Sequence, residues 1–283
     1  MAGVDSSADH LLEVRALSVT YGDEFPKITA ASDLAFSIDR GETLGVLGES
    51  GSGKSTLAMA LLRCLPSTAH IVGNIIYEGR ELTLANEREM RKIRGARIAL
   101  IFQDPVLALN PVINVGTQVL EVLRAHRDFC QKEARVMVLE TLASLGFEDV
   151  ERIYRSFPHQ LSGGQCQRIA IAQALICKPD LIIADEPTAS LDAETALEIV
   201  KLLRRISYES SIAFLLISHD PAIVRGLADR VMVMREGKIV EQGTTDNVLN
   251  HPSHTYTKFL VAAERGIVVE PPQLSSALRS SQA

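Results

Sequence analysis

The chain has 283 residues, 46% of them hydrophobic, and a formal net charge of −6. That suffices for one large core, or one core with a small lobe, and the acidic balance gives no support to nucleic-acid binding. Four cysteines without a C-x-x-C pair and seven scattered histidines without an H-E-x-x-H pattern argue against a zinc site or a disulfide frame, and reduced thiols fit a cytosolic protein.

The first ten residues lack a basic region followed by an apolar run, so they do not read as a secretory signal. No apolar run approaches the ~18–20 residues that a bilayer-spanning helix needs, so any membrane role must go through a partner. Residues 11–20 and 32–39 alternate apolar and polar side chains, with Leu34, Phe36 and Ile38 on one face, which predicts half-buried antiparallel strands. Residues 43–47 read as a short buried strand and 56–65 as a helix.

Between that strand and helix lie Gly48, Glu49, Ser50, Gly51, Ser52, Gly53, Lys54 and Ser55. This is the spacing of a phosphate-cradling loop, and the strand–loop–helix setting is the context the pattern requires. Glycines let the backbone wrap close to a polyphosphate with N–H groups pointing inward, and the following helix adds its positive N-terminal end. Lys54 would reach the β- and γ-phosphates, and the Ser55 hydroxyl would ligate Mg²⁺. The expected ligand is a nucleoside triphosphate.

Further along, residues 71–77 predict another half-buried strand. Arg88, Arg91, Lys92, Arg94 and Arg97, interleaved with Glu87 and Glu89, read as a solvated helix face. Residues 97–102 read as a core strand. Residues 115–126 and 132–145 are helical, the second with an apolar stripe of Val136, Leu139, Leu142, Ala143 and Leu145. The stretch from about 110 to 165 is therefore a helical insertion in an α/β core.

Leu161, Ser162, Gly163, Gly164 and Gln165 precede a strong helix; Ser162 suits its N-cap, and the glycines leave N–H groups open to an anion. Cys166, in the first turn, has two readings. It is either a thiol of lowered pKa at an interface, or a small buried residue on the face of Ile169, Ala170 and Cys177.

The apolar run 181–184 ends in Asp185 and Glu186. Asp185 can hold Mg²⁺ through water, and Glu186, at the carboxyl end of a strand, could orient an attacking water and accept its proton. Asp192 precedes a helix over 193–206. Residues 212–217 form a second continuous apolar run, as expected of a parallel strand buried on both faces. Met232 and Val233, a Glu236-Gly237 turn and residues 238–242 predict a hairpin. The tail, 265–283, is rich in serine and is expected to be flexible.

Taken together, these motifs resemble the nucleotide-binding subunit of an ATP-binding cassette transporter over residues 11–264. Residues 161–165 match that family's signature, and Gln103 its glutamine loop. Asp192 matches the aspartate loop, His219 the switch histidine, and Tyr21 the residue that stacks on adenine, with Phe25 close by. The resemblance implies an α/β fold: a P-loop NTPase core with an antiparallel β subdomain and a helical insertion. It implies ATP and Mg²⁺ as ligands, with Gly48 to Thr56 cradling the phosphates. Gln103 would sense Mg²⁺ and the attacking water, Asp185 would support Mg²⁺, Glu186 would be the general base, and His219 would contact the γ-phosphate. Ser162, Gly163, Gly164 and Gln165 would cap ATP held by a second subunit, with Asp192 coupling the two sites.

The implied partners are an identical or paralogous second ATPase subunit, integral membrane permease subunits and, indirectly, an extracytoplasmic solute-binding protein, with no nucleic acid. The implied location is peripheral, on the cytoplasmic face of the inner membrane.

A narrower resemblance is carried by residues 102–111, 157–160 and 251–257. They are similar to the dipeptide/oligopeptide and nickel importer branch, with Thr255 where proline is usual. The branch's cysteine-rich tail is missing, which argues against an iron–sulfur site there. The alternatives are a soluble cassette ATPase acting on ribosomes or DNA, and a P-loop kinase. The first would be expected to carry two cassettes or a large insert, and the second leaves residues 161–165 unexplained.

Overall fold

The computed structural model describes residues 10–22, 28–127, 129–264 and 266–267. Phe25 and the tail from 268 lie outside the described residues. In chain order, β1 is Leu12–Tyr21, β2 Ile28–Ile38, β3 Thr43–Leu47, α1 Lys54–Leu61, β4 Ala69–Tyr77, β5 Arg80–Glu81, α2 Glu87–Ile93 and β6 Ile98–Ile101. The helical stretch follows: α3 Pro105–Ala108, α4 Val115–His126, α5 Gln131–Ser144, α6 Val150–Arg155 and α7 Gly163–Leu175. The chain closes with β7 Leu181–Asp185, α8 Ala193–Ser210, β8 Ala213–Ser218, α9 Pro221–Leu227, β9 Arg230–Arg235, β10 Lys238–Thr244, α10 Thr245–Asn250 and α11 Thr255–Glu264.

Two sheets form. β2-β1-β4-β5 is antiparallel throughout. The other runs β10-β9-β3-β8-β7-β6, with every neighbouring pair parallel except β10 on β9. The continuous apolar runs are the central strands, as both-face burial requires. The period-two alternation then sorts their side chains into two cores. Leu181, Ile183, Leu215 and Ile217 join α1 and the antiparallel sheet. Ile182, Ala184, Phe214 and Leu216 join α4, α5, α7 and α8. A third core sets Val231 and Val233 of β9 against α9, α10 and α11. Leu34, Phe36 and Ile38 do share a buried face. The β9–β10 turn places both Glu236 and Gly237 at positive φ, 49° and 77°, the handedness a two-residue hairpin demands.

Three local expectations need correction. The first helix starts at Lys54 and stops at Leu61, because Arg63 takes φ 50° and Pro66 cannot continue it. The buried stripe of α5 is Ala134, Val138 and Leu142, continued by Leu145, while Val136 is 46% exposed and Ala143 faces outward. Two adjacent stripes on that helix carry helical spacing, and contact with α4 and α7 selects the one with small Ala134 in it. Of the basic cluster, only Arg88, Arg91 and Lys92 lie on α2. Arg94 follows it and donates to the carbonyls of Leu62 and Arg63 at 2.7 and 3.0 Å, and Arg97 pairs with Asp180 at 2.8 Å.

Candidate nucleotide site

A cavity of about 530 Å³ opens at the carboxyl ends of β3 and β7, the position where ligands gather in open α/β sheets. Ala30, Glu49, Ser50, Gly51, Gly53, Lys54, Ser55, Thr56, Gln103, Glu186 and His219 line it. β3 delivers the loop 48–53 and α1 begins at Lys54, so Ser55 and Thr56 sit in a helix's first turn, where backbone N–H groups are open to an anion.

Two glycines have steric reasons. A Cβ on Gly48 would lie 2.3 Å from the Met234 carbonyl oxygen, and Gly53 has φ 101° with the Ala30 carbonyl 2.2 Å from its would-be Cβ. The loop is thus pressed between β9 and β2. Gly237 N–H adds a bond to the Ser52 carbonyl at 3.0 Å.

Lys54 is only 6% exposed. Its ammonium donates to the carbonyls of Gly48 at 2.6 Å and Glu49 at 2.8 Å. Burial pulls its pKa down, against the opposing charges of Glu186, Asp185 and Glu49. Asp185 ends β7 beneath the cavity. Burial raises its pKa, the Ser55 hydroxyl bond lowers it, and the Glu186 charge raises it further. One Asp185 oxygen, Oδ1, is buried with no hydrogen-bond partner. An orphaned carboxylate oxygen next to the Ser55 hydroxyl, with the Gln103 amide on the same cavity, is a hard oxygen set of the kind Mg²⁺ takes. Among the described residues no cluster of three His, Cys, Asp or Glu offers a rival metal site.

Glu186 follows β7 at φ 50°, an unfavourable conformation for a non-glycine residue, with its N–H on the Ile217 carbonyl at 2.9 Å. Its side chain is 12% exposed and meets His219 Nδ1 at 2.6 Å. An ionised carboxylate only accepts, so Nδ1 carries the shared proton. β7 and β8 are neighbours, and their parallel register brings together two groups 33 residues apart in the chain.

Of the expected phosphate and hydrolysis residues, the fold gathers Glu49, Ser50, Gly51, Gly53, Lys54, Ser55, Thr56, Gln103, Glu186 and His219 around one space, with Gly48, Ser52 and Asp185 just behind. Tyr21 reaches the rim: its hydroxyl lies 3.4 Å from Thr56 Oγ1. Ser162, Gly163, Gly164, Gln165 and Asp192 do not line the cavity. They adjoin one another instead. Ser162 caps α7 in a reciprocal pair with Gln165, at 3.2 and 3.0 Å, and Asp192 caps α8 through Thr195 N–H at 3.0 Å. Thr195 Cγ2 comes within 2.4 Å of where a Gly164 Cβ would be, so a side chain there would push Thr195 aside.

Cys166 is buried beside the Pro158 carbonyl, at 3.6 Å, and burial pushes its thiol pKa up. The small buried residue is the reading that holds. Ala30 and Tyr256 are site neighbours that sequence reasoning missed. Ala30 carries no signal in sequence, whereas Tyr256 lies in the quoted 251–257 stretch.

The family model described as ABC transporter matches residues 31–189. The peptidoglycan transport ATP-binding protein YejF of Agrobacterium fabrum is 41% identical over 95% of this chain; the chain spans about half of that relative's length, 49%. The oligopeptide transport ATP-binding protein OppD of Haemophilus influenzae is 40% identical over 89% of this chain and 78% of its own. Among solved structures, a dimer of the ATP-binding cassette MJ0796 in a post-hydrolysis state, bound to ADP and Pi, superposes with a TM-score of 0.73 at 29% identity, covering 83% of this chain and 98% of that one.

Proposed function

The chain belongs to the ABC transporter family, and on that premise we propose that it is the ATP-binding and ATP-hydrolysing subunit of an importer, energising uptake of dipeptides or oligopeptides across the cytoplasmic membrane. Peptide stands ahead of nickel because a relative similar over most of both chains is named for oligopeptide transport. The observation that carries the reading is the split of the motif set. One cavity holds Lys54, Ser55, Gln103, Glu186 and His219, while residues 162–165 cap a separate surface beside Asp192.

The proposed working unit is a head-to-tail pair of cassettes, each offering its Ser162, Gly163, Gly164 and Gln165 to ATP held by the other. Lys54, held on the Gly48 and Glu49 carbonyls, would present its remaining N–H to the β- and γ-phosphates. Ser55, Asp185 and Gln103 would hold Mg²⁺, which when bound offsets phosphate charge. Glu186 would take a proton from the attacking water, held in place by its strained backbone and by His219. His219 would read the γ-phosphate, and Tyr21 would border the base. The partners are a second ATPase subunit and permease subunits, and the chain sits peripherally on the cytoplasmic face of the membrane.

The test is transport. Proteoliposomes carrying the permease pair, the cognate solute-binding protein and this chain should take up labelled peptide only with Mg-ATP inside the face that this chain occupies. Hydrolysis that never couples to uptake, together with ATP-dependent co-sedimentation with ribosomes, would instead favour the soluble-ATPase alternative.

A further inference from the structure

Tyr256 of α11 is the largest fully buried side chain among the described residues, at 1% exposure. Its ring packs in the third core, while its hydroxyl reaches the phosphate loop some 200 residues earlier in the chain. There it accepts the Glu49 N–H at 3.0 Å and donates to Glu49 Oε2 at 3.3 Å. The peptide unit that carries the Glu49 N–H has the Gly48 carbonyl at its other end, and that carbonyl takes the Lys54 ammonium at 2.6 Å. One peptide is therefore clamped on both sides, by a tyrosine from the end of the fold and by the lysine of the site itself.

We propose that Tyr256 is a positioning residue of the nucleotide site: its hydroxyl fixes the orientation of the Gly48–Glu49 peptide, and through it the carbonyl against which Lys54 is held. α11 is then part of the phosphate loop's support. This inference rests on the reading of the cavity as a nucleoside triphosphate site.

The surroundings of Tyr256 are built for such a role. The entry to α11 is anchored by Glu241 of β10, whose carboxylate accepts the N–H groups of Ser253 at 2.7 Å and His254 at 3.0 Å. Burial resists ionisation of Glu241, but those two N–H groups help outweigh it and hold the carboxyl below its usual range. The Arg235 guanidinium lies over the Tyr256 ring, 4.9 Å from its centroid, at the end of the strand whose Met234 carbonyl abuts Gly48. Burial pushes the phenol up to about 12, so at neutral pH it stays protonated and can donate to the carboxylate while it accepts from the amide. Without the hydroxyl, the Glu49 N–H loses its protein partner and the peptide is left clamped from the Lys54 side alone.

Tyr256→Phe keeps the ring, the guanidinium contact and the packing, and removes only the hydroxyl. Calorimetry of the full chain with Mg-ATP reads affinity and stoichiometry separately. The expected result is a Kd raised roughly five- to tenfold at full stoichiometry, the loss of about one hydrogen bond's net worth. In the assembled transporter the same variant should raise KM for ATP with kcat retained. A purely structural role would instead lower stoichiometry and Tm and leave the Kd of the folded fraction unchanged, and that outcome overturns the proposal. Should the variant aggregate, Glu241→Ala decides, because it loosens the α11 entry without lining the cavity. A weaker Kd supports the proposal and an unchanged one overturns it. A wild-type chain that binds no Mg-ATP would overturn the nucleotide reading itself, a result separate from wild-type binding with no Tyr256 effect.

Discussion

At the scale of single residues, the site's chemistry is set by where charge is buried. Glu186 and His219 share a short bond at 2.6 Å, and Lys54 is folded back on its own loop. Glu186→Gln removes the proposed base and keeps the shape. ATP binding should persist, turnover with partners present should fall on the order of 10²-fold or more, and gel filtration with Mg-ATP should show a stable dimer. Near-normal turnover would remove Glu186 from the reaction. Lys54→Ala deletes a charge-assisted donor, so calorimetry should show Mg-ATP affinity about ten- to a hundredfold weaker; unchanged affinity and hydrolysis would exclude the lysine from the phosphate site. Cys166, 1% exposed and with a thiol pKa raised by burial, should resist maleimide in the folded chain and react only after denaturation. Fast labelling that Mg-ATP suppresses would revive the interface thiol.

At the scale of elements, the packing of α4 on α6 leaves no room at Gly116. A Cβ there would fall 2.3 Å from the Tyr154 ring, over which the Arg135 guanidinium also lies, 5.1 Å from its centroid. Gly116→Ala gains helix propensity but forces the ring aside. The net expectation is a loss of about 1–2 kcal/mol, read from the urea midpoint at unchanged m-value. Mg-ATP affinity should hold, because neither helix lines the cavity. A more stable variant would mean that Tyr154 shifts without cost.

At the scale of the whole molecule, no helix among the described residues is long and apolar enough to cross a membrane. The apolar surface that remains exposed includes Phe102, Val106, Leu107 and Val112, at 47%, 53%, 84% and 78%, from the loop that carries Gln103 through α3 and just past it. A cluster of that kind next to the cavity fits the expected permease contact. Membrane association should therefore need the permease: the pure chain should not float with protein-free lipid vesicles, and should do so with vesicles that hold permease. Flotation on bare lipid would count against that route.

Much of this was legible in sequence for a local reason. A phosphate loop, an apolar strand ending in two acids, and a serine-capped helix are each specified by neighbours a few residues apart, so Lys54, Ser55, Asp185, Glu186 and the Ser162 cap could be located before any packing was known. The central strands were legible because burial on both faces leaves continuous apolar runs. What depends on long-range contact was not. The choice between the Val136 and Ala134 stripes of α5 was made by α4 and α7. Arg94 and Arg97, which read as a solvated face, were drawn to carbonyls and an acid from other elements. Tyr256 reached Glu49 only because β9, β10 and α11 fold back along the edge of the sheet next to β3. Local spacing picked out the groups of the proposed chemistry. The tertiary structure decided which side chains hold those groups in place, because a contact between residues two hundred positions apart leaves no periodicity in the chain.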